Sequence, residues 1–374
     1  MANNNKHTGP NVPALRFPEF SGEWEQCQIK DFGKVITGST PPTSKTEYYD
    51  NGEFLWASPA DLGNVKDVVS TKTKLSQQGF DKCRKIPAHS ILVTCIGSTI
   101  GKMGMATTEM ATNQQINSII PIDCSPDYVY YSIQSRFPKY ITSIATQAVP
   151  ILSKSVFESL DSYKTSIEEQ NKIGKLLHLL DERIDVQSKI IEEQETLLRS
   201  LRHKLFNQCL DSHTQCRIGD ILSIGSGKDY QHLREGEIPV YGTGGLISHV
   251  NESLYDGESV CIGRKGTINK PLYLSGRFWT VDTLFYTRSF NGILPRFCYH
   301  LFCTIDWLTY NEASGVPSLS KSTIEKILVS IPQIDIQKRI VQILDSIEEK
   351  INIDRNTLLD YQKQKIYLLS RMFI

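Results

Sequence analysis

The sequence predicts an α+β chain: two mostly-β domains joined by two long helices that pair as an antiparallel coiled coil, related by an internal pseudo-two-fold repeat. Three observations predict it. A seven-residue segment occurs twice, Val149-Pro150-Ile151-Leu152-Ser153-Lys154-Ser155 and Val316-Pro317-Ser318-Leu319-Ser320-Lys321-Ser322, at an offset of 167 residues. Each copy leads into a long stretch with a heptad pattern of apolar residues. What precedes each copy alternates short strand-like runs with Gly and Pro clusters.

The elements follow in chain order. Residues 1–24 read as a tail and lead-in; Met1–Pro10 is polar, Asn-rich and without a signal pattern. Residues 25–160 form the first domain, with strand-like runs at Phe54–Trp56, Ser90–Thr94 and Ile116–Ile120 and a helical stretch at Asp127–Thr142. Residues 161–210 carry the first long helix and 211–327 the second domain, with runs at Ser259–Ile262 and Thr283–Thr287 and a helical stretch at Leu294–Thr309. Residues 328–374 carry the second long helix. Each domain is expected to hold a mostly antiparallel, curved sheet.

The repeat extends beyond the signature. Glu158, Gln170, Ile173, Leu177 and Ile184 match Glu325, Gln337, Ile340, Leu344 and Ile351 at the same offset. The domain starts also correspond, with Gly38 matching Gly227. Ile96-Gly97 echoes Ile262-Gly263, and Thr99-Ile100 echoes Thr267-Ile268. Elsewhere the domains diverge, which suggests one kind of job done on two different targets.

The first heptad seam runs Ile173, Leu177, Leu180, Ile184, Gln187, Ile191, Gln194, Leu198, Leu201, Leu205. The second runs Ile340, Leu344, Ile347, Ile351, Asp354, Leu358, Tyr361, Lys365, Leu368, Met372. Helices of about 40 residues make rods of roughly 60 Å, beyond what a single small domain can cover. Packing of each helix on its own domain is the simpler alternative. Pairing predicts antiparallel contacts between positions whose numbers add to about 545, such as Leu201 with Leu344. A rod of that length is of the order of the roughly 34–36 Å, or multiples of it, that separates the heads of two-fold DNA readers.

The loops carry the candidate binding groups. In the second domain Arg264, Lys265 and Thr267 sit on a glycine-flanked turn, with Tyr241 and Thr243 on a flexible loop and Lys228 beside Gly227. In the first domain the matching loop holds Ser98, Thr99 and Lys102. Asn113, Gln114 and Gln115 offer amides suited to adenine, and Ser39, Thr40 and Lys45 lie on the early loop. Arg reads guanine edges bidentately, and Lys or bare amides hold phosphate. Solvated turns are the alternative, but the placement at matching points of both domains favours binding.

Composition excludes much else. With 41 Lys+Arg against 41 Asp+Glu the net charge is zero, which rules out a uniformly basic coat or a polybasic tether. No apolar run reaches the roughly 18–20 residues of a membrane span. The nine cysteines are scattered without a Cys-x-x-Cys pair, as for buried thiols in a reducing cytosol. Ile224–Asp229 lacks the spacing of a phosphate loop and Gly242-x-Gly244 lacks its third glycine. No metal-ligand spacing occurs among the eight histidines. No catalytic residue, metal site or cofactor site is assigned to this chain.

These residues together resemble the specificity subunit of type I restriction-modification systems. The resemblance rests on Leu15-Arg16-Phe17-Pro18-Glu19-Phe20 with Trp24, on Gly38-Ser39-Thr40-Pro41, on the twice-occurring signature, and on Ile331-Pro332 before Gln337-Lys338-Arg339-Ile340. It rests also on Ile262–Ile268 with Phe278-Trp279 and Asp282-Thr283. Ala148 stands where the second copy has Gly315, and Ser162-Tyr163-Lys164 lacks the counterpart of Pro332. The resemblance implies target recognition domains that each read half of a split double-stranded DNA sequence, and a coiled coil that sets the gap. It implies two modification subunits carrying S-adenosylmethionine, restriction subunits using ATP and Mg, a cytoplasmic location, and no chemistry by this chain. A coiled-coil scaffold binding only protein is the competing reading.

Overall fold

The computed structural model describes residues 11–63, 65–144, 151–208 and 214–374. The tail at 1–10 and Val149-Pro150 of the first signature lie outside them. The chain forms two compact units, one of Met1–Ser188 with Asn356–Ile374, the other of Lys189–Arg355. Each long helix, Ile167–Gln208 and Ile334–Arg371, contributes one stretch to each unit.

In the first unit Glu25–Gln28 pairs antiparallel with Asp161–Lys164, joining the two ends of the globular part. The remaining strands form two sheets, not the single curved sheet expected. One has five strands in the order Gly33–Thr37, Ile116–Pro121, Ile91–Thr94, Met103–Ala106, Asp67–Val68, all antiparallel except the last pair. The other has the order Thr73–Leu75, Phe54–Ala57, Met110–Thr112, Lys85–Ile86, with its central pair parallel. The switch occurs at Asn113–Gln115. This polar turn interrupts an otherwise continuous β-prone run; Met110 and Ile116 on either side of it share one apolar cluster between the sheets, while Ala111 and Ile119 reach separate ones.

The second unit repeats this strand order with different side chains and, among the described residues, without a counterpart of Asp67–Val68. Thr214–Arg217 pairs with Leu328–Ile331. One sheet runs Ser223–Ser226, Leu284–Arg288, Ser259–Gly263, Leu272–Leu274; the other runs Gly245–Val250, Ile238–Gly242, Arg277–Thr280, Tyr255–Asp256, again with a parallel central pair. The switch is at Val281–Thr283. The expected helical stretch at Leu294–Thr309 is a helix only over Pro295–Phe302. Asp306 then accepts from the amide of Leu308 and starts a separate turn, Trp307–Tyr310. The corresponding helix of the first unit, Pro126–Ile144, runs through Pro138.

The lead-in packs onto the first unit. Arg16 makes a buried ion pair with Glu169 at 2.7 Å, in the first turn of the first long helix. Removing either partner would strand a buried charge at a cost of about 3–5 kcal/mol. Trp24 meets Tyr128 edge to face at 5.8 Å, and Met372 and Phe373 join the same core.

All twenty seam residues are buried or half-buried. In the second unit Glu195 pairs with Arg355 at 2.6 Å, and Arg202 pairs with Glu348. Seven residues forward on one helix are seven back on the other, so the helices are antiparallel there. In the first unit Asp181 meets Lys365, within a residue of the expected register. In the second unit Gln194 donates to Asp354 at 2.8 Å, three residues along from the expected partner Ile351, and Arg202 and Glu348 pair beside the seam.

Candidate nucleic-acid interface

In both units a tight bend after the first sheet strand abuts the switch turn. A Cβ at Gly38 would lie 2.2 Å from the Asn113 carbonyl oxygen, and one at Gly227 would lie 1.9 Å from that of Val281. Only glycine permits that approach. The amide of Ser39 donates to Thr112 at 2.8 Å, and that of Lys228 to Thr280 at 2.9 Å. An indole closes each bend: Trp56 Nε1 donates to the Ser39 carbonyl at 3.0 Å, and Trp279 Nε1 to that of Lys228 at 2.8 Å. The two tryptophans come from neighbouring strands of the parallel pair, so one bond is made from two sequence positions.

The signature segment braces the second part of each site. The amide of Leu319 donates to the Arg264 carbonyl at 2.9 Å, and that of Leu152 to the Cys95 carbonyl at 2.8 Å. Lys265 bridges to Ser318, and Ile96 to Ile151. On the other side Arg264 donates to Thr283, and Cys95 to Gln115, each at 2.8 Å. Gly266 and Gly97 follow with φ of +90° and +92°.

These contacts correct the sequence register of the loops. Arg264 corresponds to Cys95, Lys265 to Ile96 and Gly266 to Gly97, so Ile96-Gly97 does not match Ile262-Gly263. The backbone path is shared and the chemistry is not. The second unit presents two exposed cations where the first has a buried thiol and a half-buried isoleucine.

The structure brings most of the second unit's candidates together. Lys228, Arg264 and Lys265 are exposed around the 280–283 turn. Tyr241 accepts from the Val281 amide at 3.0 Å through its carbonyl, and Thr243 Oγ1 lies 4.0 Å from the Cβ position of Gly266. Thr267 is half-buried, with its carbonyl against Gly263.

The first unit gathers a different set. The Thr40 hydroxyl bonds Gln114, and Asn113 Nδ2 donates to it at 3.3 Å. Gln115 Nε2 lies 3.7 Å from the Cβ position of Gly97, where the exposed Ser98 and half-buried Thr99 begin the turn. Lys45 stands on the neighbouring loop with Nζ 5.4 Å from the Tyr48 ring centre. Lys102 is not part of this cluster: its stem lies against Gly63 and it lines a cavity of about 960 Å³ with Tyr130, Gln134 and Asp181.

Sequence reasoning missed Arg84. Its amide donates to Ser39 Oγ at 2.9 Å and its guanidinium to the Thr37 carbonyl at 2.8 Å, which sets it beside Ser39 and Thr40. Only the sheet pairing brings it there, so no local motif signalled it. Cys83 also reaches this bend, with its thiol pushed up by burial.

Away from these sites, His300, Asp345 and Glu348 hold three potential ligand atoms close together. Two guanidiniums already engage them: Arg296 pairs with both carboxylates, and Arg202 pairs with Glu348 and donates to His300 Nδ1 at 3.2 Å. The group fastens the Pro295–Phe302 helix to the two long helices. Among the described residues no helix is long and apolar enough to cross a membrane.

The chain is similar over 94% of its length to the specificity subunit of the type I restriction enzyme MjaIX of Methanocaldococcus jannaschii, at 25% identity and covering 92% of that protein. The EcoprrI specificity subunit of Escherichia coli is 23% identical over 88% of this chain and 89% of its own. The crystal structure of a type I restriction-modification S subunit from M. genitalium shares the fold, with a TM-score of 0.69, 18% identity and coverage of 97% and 99% of the two chains. The model of the type I restriction modification DNA specificity domain matches residues 21–196 and again 213–360. Two matches that take in most of the sequence, one on each copy of the repeat, place this chain in the type I restriction-modification specificity subunit family.

Proposed function

We propose that each unit reads one half of a bipartite double-stranded DNA target, and that the paired helices act as the spacer between the half-sites. The observation that carries this reading is the duplicated loop frame with unlike side chains: one backbone solution holds Arg264 and Lys265 in one unit and Cys95 and Ile96 in the other. A frame kept constant while its exposed groups change suits two sites of one kind with different targets. Asn113 and Gln114 match an adenine edge, and Arg264 a guanine edge. The chain performs no chemistry itself. It directs two modification subunits that carry S-adenosylmethionine to methylate adenine, and restriction subunits that use ATP and Mg to cleave, in the cytoplasm.

Methylated-base sequencing tests this in a methylation-free host expressing the chain with its modification subunit. N6-methyladenine on both strands of one split, asymmetric motif supports the reading and names both half-sites. With assembly confirmed, absence of methylation and of salt-sensitive DNA binding by the purified complex would leave the scaffold that binds only protein.

A further inference from the structure

Aligning the two sites by their backbone contacts exposes a deficit of cations in the first unit. Ser39 occupies the place of Lys228, Cys95 that of Arg264 and Ile96 that of Lys265. Every position that supplies positive charge to the second site is neutral in the first.

Arg84 fills this gap from another element. It sits between the helix Gln77–Asp81 and the strand Lys85–Ile86, which the sheet order places at an edge. Its amide is held by Ser39 Oγ and one guanidinium nitrogen by the Thr37 carbonyl. Thr37 is fixed in turn, its hydroxyl donating to Asn117 Oδ1 at 2.7 Å. The side chain is exposed, and the nearest acid in sequence, Asp81, is taken by Lys85 at 2.7 Å. One tethered nitrogen leaves the opposite edge of the guanidinium, Nε and the second terminal nitrogen, to meet a planar pair of acceptors. A lysine cannot present that fork.

We propose that Arg84 is a specificity-determining residue of the first unit, reading guanine O6 and N7 next to the base pair faced by Asn113 and Gln114. This rests on the reading of each unit as a DNA half-site reader. The test uses the assembled methyltransferase complex with R84A and R84K, reading the methylated motif by sequencing and binding by titration against targets altered at single positions. Both variants should relax one position of one half-site, with discrimination there falling about fivefold to a hundredfold, while the other half-site and the melting temperature stay as in wild type. R84K should retain more overall affinity than R84A, because it still neutralises phosphate. An unchanged motif and affinity in both variants would overturn the role of Arg84 while leaving the DNA reading intact. So would a uniform loss at both half-sites with a lowered melting temperature, which marks a structural role. A wild-type complex that binds and methylates no defined motif would sink the DNA reading, and the proposal with it.

Discussion

The amide of Leu319 donates to the carbonyl of Arg264 at 2.9 Å, so the repeated signature is the brace behind the cationic loop of the second unit. Leu319 is buried and Arg264 exposed, which fixes the backbone and leaves the guanidinium outward. Arg264→Ala should therefore lower affinity for one half-site by about 1–3 kcal/mol through lost guanine contacts. Titration against a target altered only in the other half-site checks that the loss is confined to one half. Unchanged affinity and motif would refute the role.

The two kinds of glycine at the sites should respond differently. The Cβ position of Gly266 is open, with Thr243 Oγ1 at 4.0 Å, so the cost of Gly266→Ala is the left-handed backbone, about 1–2 kcal/mol. Weaker target binding is expected, with melting lowered by only a few degrees. Gly227→Ala instead drives a methyl to 1.9 Å from the Val281 oxygen, forcing the bend away from the switch turn. Calorimetry should show it lowering the melting temperature by more.

Gln170 and Gln337 occupy matching positions and do matching work to different extents. Gln337 is fully buried; it accepts from Leu294 and donates to Gly292 and Pro332 at 2.8–2.9 Å. Gln170 accepts from Ser125 and donates to Thr165. Each alanine variant strands buried backbone groups, at about 1–3 kcal/mol per group. Denaturant titration should find Gln337→Ala the more destabilising; the reverse order would contradict this reading of the bonds.

His300 makes the second unit sensitive to acid. It is fully buried, accepts from Arg202 and donates to Asp345, and Arg296 and Glu348 complete its surroundings. Burial keeps its pKa below the ordinary 6.5, against the opposing pull of the Asp345 hydrogen bond. The unfolded chain then holds a proton that the folded one refuses. The stabilisation is complete above about 6.5 and is lost as pH falls from there toward the lowered folded value. Hydrogen exchange across Pro295–Phe302 should accelerate over that window, and His300→Gln should flatten the dependence.

Burial also silences thiols. Cys27, Cys95 and Cys261 are pushed up to about 12, in each case chiefly by desolvation. Alkylation at about pH 8 should leave these three unmodified in the native protein and label them after denaturation. Native labelling of Cys261 would contradict its packing.

The sequence alone determined the architecture. A signature repeated at a fixed offset, two heptad seams and punctuated β-prone runs are local patterns, and local patterns specify elements. The helices at Ile167–Gln208 and Ile334–Arg371 lie close to where the seams place them. The candidate loops also fall where glycines and cations mark them. Tertiary structure alone decided what those loops are built from. The split into two sheets depends on which face each half of a run buries, and that is settled across the core. The correspondence of Arg264 with Cys95 is fixed by hydrogen bonds to the signature, and side-chain similarity had suggested a different register. Arg84 joins its site by pairing across a sheet edge. The polar group in which Arg202 reaches both His300 and Glu348 is likewise assembled from three separate helices. Contacts between residues far apart in the chain leave no trace in local periodicity, so these features appear only once the chain is folded.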